Sequence, residues 1–125
     1  MIDSRRFLNS VKHAIRGVSV VFKAEQSFRM QVYAALIVLI SAWFFQVETF
    51  EWILLILLIG SVLTLELINS IFERIADSFK PRIHPIVKDI KDIMAGAVLI
   101  VSVIAATVGL AIFYPHLQVL VSTLA

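Results

Sequence analysis

Apolar residues recur at helical spacing from the first turns of the chain. Phe7, Val11, Ala14, Val18 and Phe22 alternate with Arg5, Lys12, Arg16 and Lys23, and at about 100° per residue the two sets occupy different faces. This predicts an amphipathic helix over residues 4–29, lying on a membrane surface with its cations toward phosphates; a juxtamembrane anchor held by anionic lipid alone is the plainer alternative. Three apolar runs follow. Val32 to Phe45, extended at both ends to about 31–47, carries Trp43, Phe44 and Phe45 at its outer end, where aromatic rings favour the interface. After a tight connection through Glu48 and Glu51 comes a second run, 52–72, whose one weak helix former is Gly60. A loop through Pro81 and His84 leads to a third helix starting at Pro85, a favoured first helical position, and ending at Tyr114 before Pro115. That helix would be about 45 Å long, more than a bilayer core, so its span is set at 93–114. The expectation is one domain, residues 1–125: an all-α membrane protein with a surface helix and three spans.

Composition agrees. The chain has 125 residues, 60% hydrophobic and 16% charged, which lies outside the soluble norm. The first 30 residues carry six basic side chains and no apolar core with a small-residue cleavage site, so no secretory signal is expected. With no cysteine, disulfides, thiolate nucleophiles and Cys-based zinc sites are excluded. A net charge of +2 gives no ground for a nucleic-acid partner. The distribution of charge is more telling. Of the 11 lysines and arginines, Arg5, Arg6, Lys12, Arg16, Lys23 and Arg29 precede the first span, and Arg74, Lys80, Arg82, Lys88 and Lys91 lie between the second and third. The positive-inside rule then puts the N-terminus in the cytoplasm and the C-terminus outside, as for a bacterial inner-membrane protein.

Against this apolar background one stretch stands out. Glu66, Asn69, Ser70, Glu73 and Asp77 fall on one stripe of the second membrane helix. An ionisable group in a span is costly and by default functional. Three helices do not readily enclose such a stripe, which favours an oligomer; Ala95, Gly96, Ala97, Ser102, Ala105, Ala106 and Gly109 offer small residues for close helix approach. Carboxylates, lysines and an amide at one membrane face suit phosphoryl transfer from a soluble nucleotide to a lipid hydroxyl. That chemistry needs divalent metal on carboxylate oxygen, cations on phosphate and a group to orient the attacking hydroxyl. The chain has no GxxxxGK[ST] and no GxGxxG sequence, so a nucleotide site would be built without those loops. His13, His84 and His116 lack ligand spacing. The competing reading is a small oligomeric proton-coupled transporter working through Glu66. From the pattern alone Glu25, at the end of the first helix, has no special role.

The run Glu66-Leu-Ile-Asn69-Ser70-Ile-Phe-Glu73-Arg-Ile-Ala-Asp77, followed by His84-Pro85 and Lys91-Asp92-Ile-Met-Ala-Gly-Ala-Val-Leu, resembles the bacterial diacylglycerol kinase family, which includes the undecaprenol kinases. The likeness covers nearly the whole chain, including Ala24-Glu25-Gln-Ser-Phe28-Arg29 and Glu51-Trp52. His84-Pro85 and Ala95 to Leu99 look closer to the undecaprenol kinase branch, from which Ser70 and Met30 depart. The resemblance implies a homotrimeric kinase with sites shared between subunits, ATP as phosphoryl donor and Mg2+ as cofactor, acting on undecaprenol or diacylglycerol. It implies Glu66 as catalytic base and Glu25 and Glu73 as metal ligands. Around the nucleotide it places Arg6, Arg16, Gly17, Glu25, Glu73, Asp77, Lys91 and Asp92, and at the lipid substrate Glu66, Asn69, Ser70 and Lys91.

The role of Glu66 is testable. Glu66→Gln is expected to lower phosphoryl transfer by about 10²–10⁴-fold while the protein still assembles in detergent, read by ATP-dependent lipid phosphorylation and size-exclusion chromatography. Retention of most activity would remove Glu66 as the base.

Overall fold

A computed structural model describes residues 1–78 and 85–125. Lys80, Pro81, Arg82 and His84, expected in the connecting loop, lie outside the described residues. The described chain is helical throughout: α1 (Ser4–Ala24), α2 (Gln26–Phe44), α3 (Thr49–Ser78) and α4 (Pro85–Leu124). The last three are long and apolar enough to cross a membrane, as the three apolar runs required. α3 is central; α2 and α4 both pack along it, and α1 touches α2 and α3. Ile37, Ile40, Ile56, Leu57, Ile100 and Ile104 point away from the other helices, as an apolar solvent allows.

The single helix expected over 4–29 is broken. Glu25 has extended backbone (φ −118°, ψ 121°), ending α1 and starting α2. Two interactions stabilise α1's ends. Asp3 accepts the backbone N–H groups of Arg5 and Arg6, a standard N-cap. At the other end the Arg29 guanidinium donates to the carbonyls of Phe22 and Lys23, each at 2.8 Å, so that orphan C-terminal acceptors are satisfied by a cation. A residue four positions past the break thereby holds both sides of it. Hydrophobic periodicity does not register this, because the apolar pattern continues across Glu25.

α2 ends in a Schellman turn. Val47 N–H reaches the Ala42 carbonyl at 3.2 Å and Gln46 N–H the Trp43 carbonyl at 3.3 Å, with Gln46 in the left-handed region (φ 50°). The turn's hydrophobic pair, Ala42 and Val47, is buried in one cluster with Leu55 and Ile112. α3 then begins with Glu51 reaching back to the Glu48 N–H at 2.9 Å, one half of a capping box. The same carboxylate meets His116 Nε2 at 3.5 Å.

α4 departs from expectation at its far end, running through Pro115 to Leu124. Proline removes one intrahelical bond, but here side chains on both sides of it are held: Phe113 and His116 each pack on Phe45, with ring centroids 6.1 and 5.9 Å apart. These contacts keep the helix axis against the α2–α3 turn, where membrane-spanning helices tolerate proline.

Between α2, α3 and α4 runs an apolar groove of about 440 Å³, lined by Ala34, Ala35 and Val38, by Leu55, Ile59, Val62 and Leu63, and by Ser102, Ala105, Ala106 and Gly109. Of the small residues of α4, Ala95, Gly96 and Ala97 lie outside this lining, whereas Ser102, Ala105, Ala106 and Gly109 face into the chain's own groove. Their missing side-chain volume leaves it open.

The turn yields a prediction. A non-glycine residue in the left-handed region carries a steric cost that glycine lacks, so Gln46→Gly is expected to stabilise the protein by about 1 kcal/mol, seen as a raised thermal midpoint in detergent. A lowered midpoint would contradict the strained turn.

Candidate active site

One face of α3 is buried along most of its length: Leu55, Val62, Glu66, Asn69, Ser70 and Ala76. Steps of three, four and seven keep these residues on one stripe, and its chemistry changes halfway. Leu55 and Val62 are apolar; Glu66, Asn69 and Ser70 are polar, with exposures of 4%, 8% and 0%. Glu66 lies one turn beyond Val62, with the Ser27 side chain beside it and Glu25 and Glu73 within electrostatic reach. Asn69 Nδ2 donates to Glu73 Oε1 one turn further along the helix at 3.3 Å. The other end of the amide, Asn69 Oδ1, is buried with no hydrogen-bond partner.

Glu25 enters this cluster from the α1–α2 break. Its Oε1 accepts a short hydrogen bond from the Ser70 hydroxyl across 45 positions of sequence. Arg74 Nε–H donates to the same Ser70 oxygen at 3.5 Å. At the end of α3, Asp77 pairs with Lys91 of α4 at 2.9 Å, tying the two helices together across the loop. The pair is more than a third exposed on each side, so its weight is in geometry and not in stability.

Other candidates are not drawn in. Arg6 pairs at 3.7 Å with Asp3 in its own first turn. Arg16 and Gly17 are exposed on α1, and a Cβ at Gly17 would meet nothing within 4 Å. Asp92 pairs with Lys88 on its own helix at 3.7 Å. Ser70, expected at the lipid, is fully buried against Glu25. Three residues missed by sequence reasoning join the site instead: Ser27, Arg29 and Arg74. Ser27, Arg29 and Arg74 all lay in the segments that carried the resemblance, which gave none of them a role.

Among the described residues no three histidine, aspartate or glutamate side chains converge as a metal-holding cluster. Glu25 and Glu73 are nonetheless each bonded through Oε1 alone, both within electrostatic reach of Glu66, and Glu73 is held by Asn69, whose own oxygen is unpartnered. This all-oxygen donor set is of the kind that binds Mg2+ by one or two carboxylates together with substrate phosphates. The residues fit the cation that the resemblance implied.

The molecule is therefore a multi-pass helical membrane protein in which a buried polar face of α3 gathers carboxylates one turn beyond an apolar groove. Residues 12–113 match the family described as prokaryotic diacylglycerol kinase. The chain is 38% identical to the undecaprenol kinase of Bacillus subtilis (strain 168), over 92% of this chain and 94% of that protein. It is 32% identical to a diacylglycerol kinase of Synechocystis, over 88% of this chain and 63% of that one. With the diacylglycerol kinase of Escherichia coli (strain K12) identity is 24%, over 89% and 91%. The chain belongs to the prokaryotic diacylglycerol kinase family and is a lipid kinase. The transporter reading of Glu66 gives way to this membership.

The break at Glu25 generates a prediction. Arg29→Ala leaves two helix-terminal carbonyls without their cation and is expected to loosen the α1–α2 elbow by about 1–2 kcal/mol. Amide hydrogen exchange should rise in the last turn of α1, and the first turns, capped by Asp3, should be unchanged. Unchanged exchange near Glu25 would show that the clamp is dispensable.

Proposed function

We propose that this lipid kinase transfers the γ-phosphate of ATP to the hydroxyl of a membrane lipid at the cytoplasmic face, with undecaprenol as the favoured acceptor and diacylglycerol as the second. The observation that carries the reading is the junction of groove and stripe. Val62 and Leu63 line the apolar groove, and Glu66 follows one turn later on the same buried face. A long hydrocarbon chain in the groove would bring its terminal hydroxyl to the carboxylate. The match to the Bacillus subtilis undecaprenol kinase, over 92% of this chain and 94% of that protein, favours the isoprenoid alcohol; the diacylglycerol kinases among the relatives keep the glycerolipid as the alternative.

In this reading Glu66 accepts the proton of the attacking hydroxyl, and Asn69, bonded to Glu73, keeps the two glutamates in register. Glu25 and Glu73 hold Mg2+, which when bound offsets the charge on the transferring phosphate. Lys91, steered by Asp77, presents its ammonium to phosphate, with Asp92 beside it. α1 lies on the inner membrane surface with its basic positions outward, and Arg6, Arg16 and Gly17 contribute to the nucleotide from there. The small residues near the start of α4 that lie outside the groove lining, Ala95, Gly96 and Ala97, support assembly as a homotrimer with shared sites. The N-terminus is cytoplasmic and the C-terminus outside, following the lysine and arginine distribution.

The test is ATP- and Mg2+-dependent phosphorylation of undecaprenol and of diacylglycerol, side by side, by the purified protein in mixed micelles. A higher kcat/KM for undecaprenol is expected. Preference for diacylglycerol would reverse the acceptor assignment, and transfer to neither lipid would overturn the proposal.

A further inference from the structure

From the hydrogen bonds that converge on Ser70 we infer that this residue is a positioning residue: its hydroxyl fixes the Glu25 carboxylate for the metal–nucleotide, and it makes no contact with lipid. The inference rests on the role of Glu25 given under Proposed function.

Glu25 occupies the non-helical residue between α1 and α2, so intrahelical packing does not determine where its side chain points. Two contacts do. On the backbone side Arg29 ties the last carbonyls of α1 to the first turn of α2. On the side-chain side Ser70 reaches over from α3 and donates to Glu25 Oε1. The direction of that bond is set by the carboxylate, which when ionised only accepts, so the serine proton points to Glu25. Arg74 Nε–H, which only donates, takes an acceptor lone pair on the same Ser70 oxygen. Ser70 is also fully buried, which leaves it no surface toward a lipid in the groove. A charge-assisted hydrogen bond of this kind is about twice as strong as a neutral one, and it leaves the second oxygen of Glu25 available to a cation.

The test uses the full chain in lipid nanodiscs and the binding of Mn2+ with a non-hydrolysable ATP analogue, followed by electron paramagnetic resonance, beside steady-state kinetics. Ser70→Ala is expected to weaken metal–nucleotide binding and raise KM for the metal–ATP complex by about tenfold. The lipid KM should be unchanged and kcat within about threefold. Ser70→Thr, which keeps the hydroxyl, should restore binding to within about twofold, and it remains informative if Ser70→Ala fails to assemble. In a Glu25→Gln background Ser70→Ala should add nothing, because the two residues act through one bond. A raised lipid KM with intact metal–nucleotide binding would overturn the inference, as would failure of threonine to rescue or full additivity with Glu25→Gln. Glu25→Gln that by itself leaves metal–nucleotide binding intact would instead mark the failure of the Glu25 role, and the inference with it.

Discussion

α3 buries one face, and α2, α4 and the break between α1 and α2 are arranged along it. A carboxylate in a membrane-spanning helix is tolerable only where it meets protein or water and not hydrocarbon. α3 satisfies this by continuing the apolar stripe of Leu55 and Val62 directly into Glu66, Asn69 and Ser70, so the packing that buries the one also shields the other. The groove and the acidic cluster are consequently two halves of a single surface. This is the geometry needed by an enzyme whose acceptor lives in the bilayer and whose donor is soluble.

The polar half is held by interactions that cross breaks in the helices. Glu25 lies where α1 gives way to α2, fixed by Arg29 on the main chain and by Ser70 on the side chain. Lys91 and Asp77 bridge the start of α4 and the end of α3. Helix ends leave backbone groups and side chains free of intrahelical constraint, so functional groups placed there can be aimed independently of helical phase. The far end of the bundle is organised differently, by the Schellman turn at Gln46 and by Phe45 against Phe113 and His116. That end is mainly packing, and it carries α4 through Pro115.

Much of this was legible in the residues. Three helices of membrane length, the start of α4 at Pro85, the polar stripe from Glu66 to Asp77 and family membership follow from period, length and motif. The break at Glu25 was not legible, because the apolar pattern from Phe7 to Phe28 runs on across it, and the contact that holds its two sides comes from Arg29, four positions further on. Passage of α4 beyond Pro115 was hidden for a similar reason: local propensity favours stopping there, and only neighbours packed on Phe113 and His116 make continuation the better solution.

By itself the sequence determined which segments are helical and lipid-compatible and which face of α3 is unusual, since hydrophobic periodicity depends only on neighbours three and four positions away. Only the tertiary structure decided that Ser70 bonds Glu25, that Ser27 lies beside Glu66, and that small residues of α4 open a groove leading to Glu66. Those pairings join residues tens of positions apart. They depend on how helices cross and where their axes break, quantities that no local pattern records.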